Sequence, residues 1–392
     1  MRCSFSLGLV TLAVSGCAAR TRHTVDVERS GYIVRLGVDT IMAESFSASP
    51  ARIEGDIVDR SPTTSVLHYQ VLLDGGGRIA RARATQHAAT GARLYDVTID
   101  GARNGFDVVI REGDSTQRRH VAAPPEAIPL LSRSIGLYEV VTARFRHAGI
   151  DSIGVPILDP YDLGVTERVV RRLGEDSLLL TLYFPRGEHA QVDRAGHILG
   201  VSGLATSYKW LTERAADVDI AALTRAFAAR DANGASLGNY SLRDTVRATV
   251  GGARITIDYG RPAKRGRVIF GGLVPWGEVW RTGADLATHF TTDRALKLNG
   301  LLVPAGTYTL YTLPSPAGWQ LIVNRQTGQF GLIYDAAADF GRVAMTTTPV
   351  PSVTERLTIT VVPSPAGGGV LRIAWDRLAA EVPFTVGAGS QH

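Results

Sequence analysis

From residue 31 onward the chain alternates apolar and polar positions in short runs separated by turn-forming residues, the pattern of antiparallel strands. Tyr32–Leu36 and Thr40–Phe46 flank Gly37-Val-Asp39 and read as a hairpin. Strands follow at Ile53–Val58 and Ser65–Leu73; then Asp74-Gly-Gly-Gly77 supplies a tight turn, because glycine adopts positive φ at little cost. Arg78–Thr85, Arg93–Ile99 and Phe106–Arg111 extend the series until Ala123-Pro-Pro125 breaks it. Ile128, Leu131, Ile135, Tyr138, Val141 and Phe145 then recur at spacings of three and four, predicting a helix near 126–147 with one apolar face. Strands resume at 167–173, 177–184, 190–193 and 208–213, and Asp219–Arg230 reads as a second, shorter helix. A strand meander and one amphipathic helix bury each other best if a curved sheet wraps the helix, so residues 31–235 are expected to form a half-barrel-like antiparallel domain.

Beyond residue 238 no segment has helical period. Arg254–Tyr259 alternates with period two, and Leu296–Val303 carries Asn299-Gly300 between apolar runs, a strong hairpin signal. Pro304-Ala-Gly306 precedes another strand, and Gly367-Gly-Gly369 joins Leu357–Val362 to Leu371–Trp375. A β-sandwich over 239–388 is expected, making the whole chain mostly β.

The first residues differ from all of this. Arg2 leads into the apolar Phe5–Val14, too short to span a bilayer, and the stretch ends Val14-Ser-Gly-Cys17. This resembles a bacterial lipobox, which implies a signal peptide over 1–16, lipid attached at Cys17, a polar tether over 17–30 and a membrane partner reached through the acyl chains. Ala18 rather than Asp after the cysteine points, by the same resemblance, to the outer membrane of the cell envelope. Cys3 lies in the segment to be removed, so the mature chain is expected to hold neither a disulfide nor a cysteine nucleophile.

Composition narrows the function classes. Hydrophobic residues are 45% and charged residues 20% of the 392, which is globular rather than disordered composition. The net charge of +5 is scattered, densest at Arg171-Arg172 and Lys264–Arg267, with no basic stripe interleaved with aromatics, so no nucleic-acid partner is expected. No phosphate-binding loop, dinucleotide fingerprint or paired-histidine spacing occurs, so no cofactor and no metal is expected. Gly234-Ala-Ser-Leu-Gly238 fits G-x-S-x-G, but the expected order is helix before and strand after, the reverse of a nucleophile elbow; it reads as a linker.

One region is distinctive. Ile257–Pro262, the run Lys264–Thr288, Val303–Thr312 and Trp319–Asn324, continuing to Val382–Val386, resemble in order and spacing the DUF2911 family, whose activity is not established. The family usually carries Asn where this chain has Asp285. Within the run, Trp276, Trp280, Arg281, Thr282, Asp285 and His289 are the candidate ligand-binding residues. Indole faces stack on sugar rings, while guanidinium and carboxylate groups bond hydroxyls or charges, so the loop has the chemistry to hold a glycan or a lipid head group. The competing reading places both indoles in the core and Arg281 as a brace. The N-terminal element order also looks like that of lipid-carrying periplasmic lipoproteins. The expectation is a non-enzymatic envelope lipoprotein with a binding or structural role; the alternatives are a carbohydrate- or lipid-binding module and a hydrolase using Asp285 or Glu278 with His289.

Overall fold

The computed structural model describes residues 29–181, 187–206, 208–365 and 367–387; the lipobox with Cys17 lies outside them. Strands β1 (Arg29–Leu36), β2 (Asp39–Ser49), β3 (Arg52–Asp59), β4 (Ser65–Leu73), β5 (Ile79–Ala88), β6 (Arg93–Ala102), β7 (Gly105–Glu112) and β8 (Ser115–Ala122) form an antiparallel meander. Alternation sets its faces: in β4, Leu67, Tyr69 and Val71 are buried while His68 between them is exposed. After β9 (Ile128–Pro129) and α1 (Ile135–Ala148), β10 (Ser152–Asp159), β11 (Gly164–Arg172), β12 (Ser177–Leu180), β13 (Glu188–Val192), β14 (Ile198–Ser202) and β15 (Leu211–Ala215) form a second meander. β15 pairs with β1, Gly31 opposite Ala215, which joins the two runs into one fifteen-stranded sheet among the described residues. The one parallel pairing there is β9 with β10.

The curved sheet wraps α1, as the pattern predicts, but the helix starts later than expected. Pro129 and the left-handed Ser132 (φ 54°) precede it, and Ser134 caps it by accepting from Leu137 N at 3.0 Å. Residues 128–129, assigned to the helix by periodicity, instead add a strand to β10. Ile135, Leu137, Tyr138, Val141 and Phe145 share one apolar cluster with strand residues, so the helix plugs the sheet. Helix α2 (Ile220–Ala232), capped by Asp219, packs Phe227 on the outer face against Ala43 and Val58.

The C-terminal domain comprises β16 (Ser241–Val250), β17 (Ala253–Pro262), β18 (Thr288–Thr292), β19 (Leu296–Leu298), β20 (Leu301–Val303), β21 (Gly306–Leu313), β22 (Trp319–Asn324), β23 (Asp339–Pro363) and β24 (Gly369–Val386). All pair antiparallel in one sheet, order β16-β17-β18-β21-β22-β23-β24-β19-β20. Register shifts between Pro349 and Thr358 break the long β23, and the sheet curls until β17 meets it: Tyr259 Oη accepts from Ile359 N at 3.0 Å. The layers enclose Trp319, Trp375, Phe290 and their aliphatic neighbours. Asn299 and Gly300, φ 40° and 97°, make the predicted turn between β19 and β20.

The domains also touch. The β1–β2 turn docks on the loop after β17, where Val38 N donates to Arg265 O (3.1 Å) and Arg265 pairs with Asp39 (2.7 Å). The linker is fixed as well: Ser61 Oγ donates to Gly238 O, and Tyr240 Oη to Asp59.

Candidate functional site

The family-like run leaves β17 at Pro262 and returns to the sheet at Thr288. Two backbone bonds between Trp280 and Thr312 on β21, 2.8 and 2.9 Å, hold its middle like a short strand. Thr282 is fully buried in left-handed conformation (φ 52°); its hydroxyl donates to Thr312 Oγ1 at 3.1 Å and its carbonyl accepts from Thr288 Oγ1 at 3.0 Å. Asp285 also has positive φ (61°), and its carbonyl accepts from Gly331 N at 2.9 Å. Asp and Asn are the non-glycine residues that tolerate this backbone best, a physical reason for either at this position.

That loop forms one wall of a cavity of about 590 Å³ between the two domains. Glu278, Trp280, Arg281 and Asp285 line it from the loop, with Tyr311, Tyr334 and Trp375 behind them. The opposite wall comes from the N-terminal domain: Arg133 between β9 and α1, Thr206, Tyr208 and Lys209 between β14 and β15, and Asn239 and Tyr240 of the linker. Four cationic side chains (Arg133, Lys209, Arg267, Arg281) face two carboxylates (Glu278, Asp285), so the lining is net basic and rich in rings.

Arg133 is the most constrained of these. Its guanidinium lies over Tyr208, Trp210 and Tyr240 at 5.7, 5.2 and 5.3 Å, and it pairs with Asp59 at 3.8 Å. Burial raises the Asp59 carboxyl above its usual range, against the pull of Arg133. Behind Trp210, whose indole N–H donates to it, Glu188 is 3% exposed and pushed up to about 7 by burial.

The six residues singled out from sequence do not act together. Trp280, Arg281 and Asp285 line the cavity; Trp276, Thr282 and His289 do not. Trp276 is 38% exposed and tilted against Phe270, 6.0 Å between rings. His289 on β18 accepts from Gly328 N at 2.9 Å through Nε2; burial and then Arg243 lower its pKa, which keeps the ring neutral in that role. Trp280 serves both of the readings weighed for it: half-buried, it stacks on Trp375 at 5.9 Å, meets Trp319 edge-on and still reaches the cavity. Arg281 lies over Phe330 at 5.6 Å and bonds Gly283 O, so it braces the loop from the cavity wall. Sequence reasoning missed Arg133, Tyr208 and Tyr240, which stand in three separate segments and share no local spacing. The G-x-S-x-G run lies between α2 and β16, and Ser236 Oγ donates to Pro62 O at 3.1 Å. Among the described residues no group of three or more His, Cys, Asp or Glu is placed to hold a metal.

No curated protein matches the chain. Among solved structures, a DUF1089 family protein from Pseudomonas aeruginosa is similar over 42% of this chain and 90% of its own, at 14% identity and a TM-score of 0.30. The family model described as protein of unknown function (DUF2911) matches residues 241–384, from the first strand of the second sheet into its last, and the C-terminal part of this chain is a DUF2911 domain.

Proposed function

We propose that this chain is an envelope lipoprotein, anchored through Cys17, that binds a polar ligand bearing rings or hydroxyls, such as a glycan or lipid head group, in the cleft between its two domains. One observation carries the reading: both domains contribute polar and aromatic side chains to a single cavity, about 590 Å³, within the range of small-molecule sites. Trp280 and the tyrosines offer ring faces; Arg281, Lys209, Glu278 and Asp285 offer charged hydrogen-bond partners. The basic excess favours ligands with an acidic group. His289 stands outside the cleft, which weighs against the hydrolase alternative that needs it beside Asp285 or Glu278.

Native mass spectrometry of protein purified from the bacterial envelope tests this reading. A stable adduct, lost on denaturation and reduced at least about tenfold in occupancy by Lys209→Ala, is expected, because one charge-assisted hydrogen bond is lost; the fold should survive because the Lys209 ammonium donates to Leu204 O at the exposed surface. An unliganded mass that persists after incubation with envelope glycans and lipids would end the binding reading in favour of a structural role.

A further inference from the structure

Beside the cleft, where the β1–β2 turn meets the second domain, four arginines collect. Arg60 follows β3, Arg265 and Arg267 sit in the docking loop, and Arg356 lies in β23. Arg60 is 3% exposed and the Arg265 side chain 7%. Geometry gathers them: Arg60 Nη1 donates to Thr40 O beside Asp39, which pairs with Arg265, and Arg356 bridges Ala263, two residues before Arg265. Burial and then the Arg265 charge lower the pKa of Arg356 and of Arg267, the latter to about 10, while burial and then Arg230 lower that of Arg60. A guanidinium is not deprotonated in proteins, so each of the four brings a positive charge.

The nearby carboxylates do not balance them. Asp39 takes one Arg265 nitrogen at 2.7 Å, and Glu355 accepts from the Arg265 backbone N at 2.8 Å. Asp231 faces Arg60, but Arg230 beside it restores the positive charge. Arg267 spends two of its groups on the carbonyls of Lys264 and Ala263, at 3.0 and 2.5 Å, and neither is charged. Four buried donors are left over: Arg60 Nε, Arg265 Nε and Nη2, and Arg356 Nη1 are sealed from solvent with no acceptor in the protein. An ionised N–H buried without an acceptor costs several kcal/mol, so native proteins fill such positions with a water or an ion. A surplus of two positive charges with forked donors matches a tetrahedral dianion better than it matches neutral water.

We propose that this junction is a binding site for a phosphate oxyanion, held by Arg265 with Arg60 and Arg356, which ties the β1–β2 turn to the DUF2911 domain. The cleft is a separate site: Arg60, Arg265 and Arg356 do not line it, and Arg267 alone belongs to both walls. The same chemistry suits inorganic phosphate and the phosphoryl end of a larger molecule.

Thermal unfolding of the full chain, exchanged into chloride and titrated with inorganic phosphate at constant ionic strength, tests the site. A saturable rise of roughly 3–5 °C at a large excess over Kd is expected, by mass action on the folded state. Arg265→Met should abolish the rise; if that variant does not fold, Arg356→Met should reduce it. A parallel titration with glycerol phosphate separates the sources: an equal rise admits a phosphoryl end, and no rise restricts the site to the free anion. Identical unfolding in phosphate and chloride, with no phosphate released on denaturing the natively purified protein, would overturn the proposal.

Discussion

Single side chains carry more than one load here. Trp280 is both core and cavity wall, so truncating it would confound binding with stability; a buried Trp→Ala change costs about 3–5 kcal/mol. Glu188 offers a cleaner handle. Its carboxyl is raised to about 7 in the folded chain, against about 4.5 when exposed, so the folded state favours the protonated form. Its contribution to stability is therefore complete below about pH 4.5 and is lost as the pH rises through about 7. Between those limits the wild type should lose up to roughly 3 kcal/mol that Glu188→Gln does not lose. Denaturant unfolding of both proteins at pH 5 and pH 8 measures the difference, and parallel pH profiles would show that Glu188 is not the titrating group.

At the scale of elements, α1 is seated by a carboxylate from another strand. Glu44 on β2 is fully buried and accepts from Ser134 Oγ (2.6 Å), Tyr69 Oη (2.7 Å) and the backbone N–H groups of Ile135 (2.7 Å) and Gly136 (3.1 Å). Burial raises its pKa while these bonds pull the other way, and the positive end of the helix dipole lies at the same point. Gly136 lets the first turn approach the sheet: a Cβ there would stand 2.6 Å from the Phe46 ring. Glu44→Ala would strand four donors inside the core, and a loss of roughly 3 kcal/mol or more is expected in equilibrium unfolding, with Glu44→Gln milder because it still accepts. At the far side, Glu139 accepts from Tyr32 Oη, from Ile198 N and from Arg214, which locks the helix to β1, β14 and β15. Little of this was legible in sequence. The three-four spacing marks the apolar face of α1, but nothing local marks Glu44, ninety residues before Ser134, as its cap partner.

For the molecule as a whole, the sheet joins its two meanders at a pair nearly two hundred residues apart, and the cleft exists because the domains dock. Gly37 belongs to that docking: with φ 65°, its α-carbon passes so close to the Arg265 carbonyl that a Cβ would stand 2.0 Å from it. On the reading proposed above, the protein is held at the membrane through Cys17. Among the described residues no helix is long and apolar enough to cross a bilayer. Cys17→Ser should move the protein from the membrane fraction to the soluble fraction after cell lysis. Retention in the membrane would refute lipid anchoring at that residue.

What local chemistry controls can be read along the chain. Period-two alternation placed most strands, Asn299-Gly300 placed a hairpin because only residues tolerant of positive φ close that turn, and the ordered motifs from Ile257 to Asn324 marked the DUF2911 domain. Where periodicity was the only cue, the start of α1 was placed too early, since Ile128 keeps the helical spacing while pairing with β10. The site divided in the same way. Trp280, Arg281 and Asp285 were legible because one loop carries them; Arg133, Tyr208 and Tyr240 were not, because each comes from a different connection. Packing between distant segments settles which indole reaches the cavity, that His289 ties β18 to the Gly328 loop, and that four arginines from three segments gather where the domains dock. Such meetings depend on non-local packing, in which a side chain's neighbours are set by sheet curvature and domain docking rather than by its position in the chain.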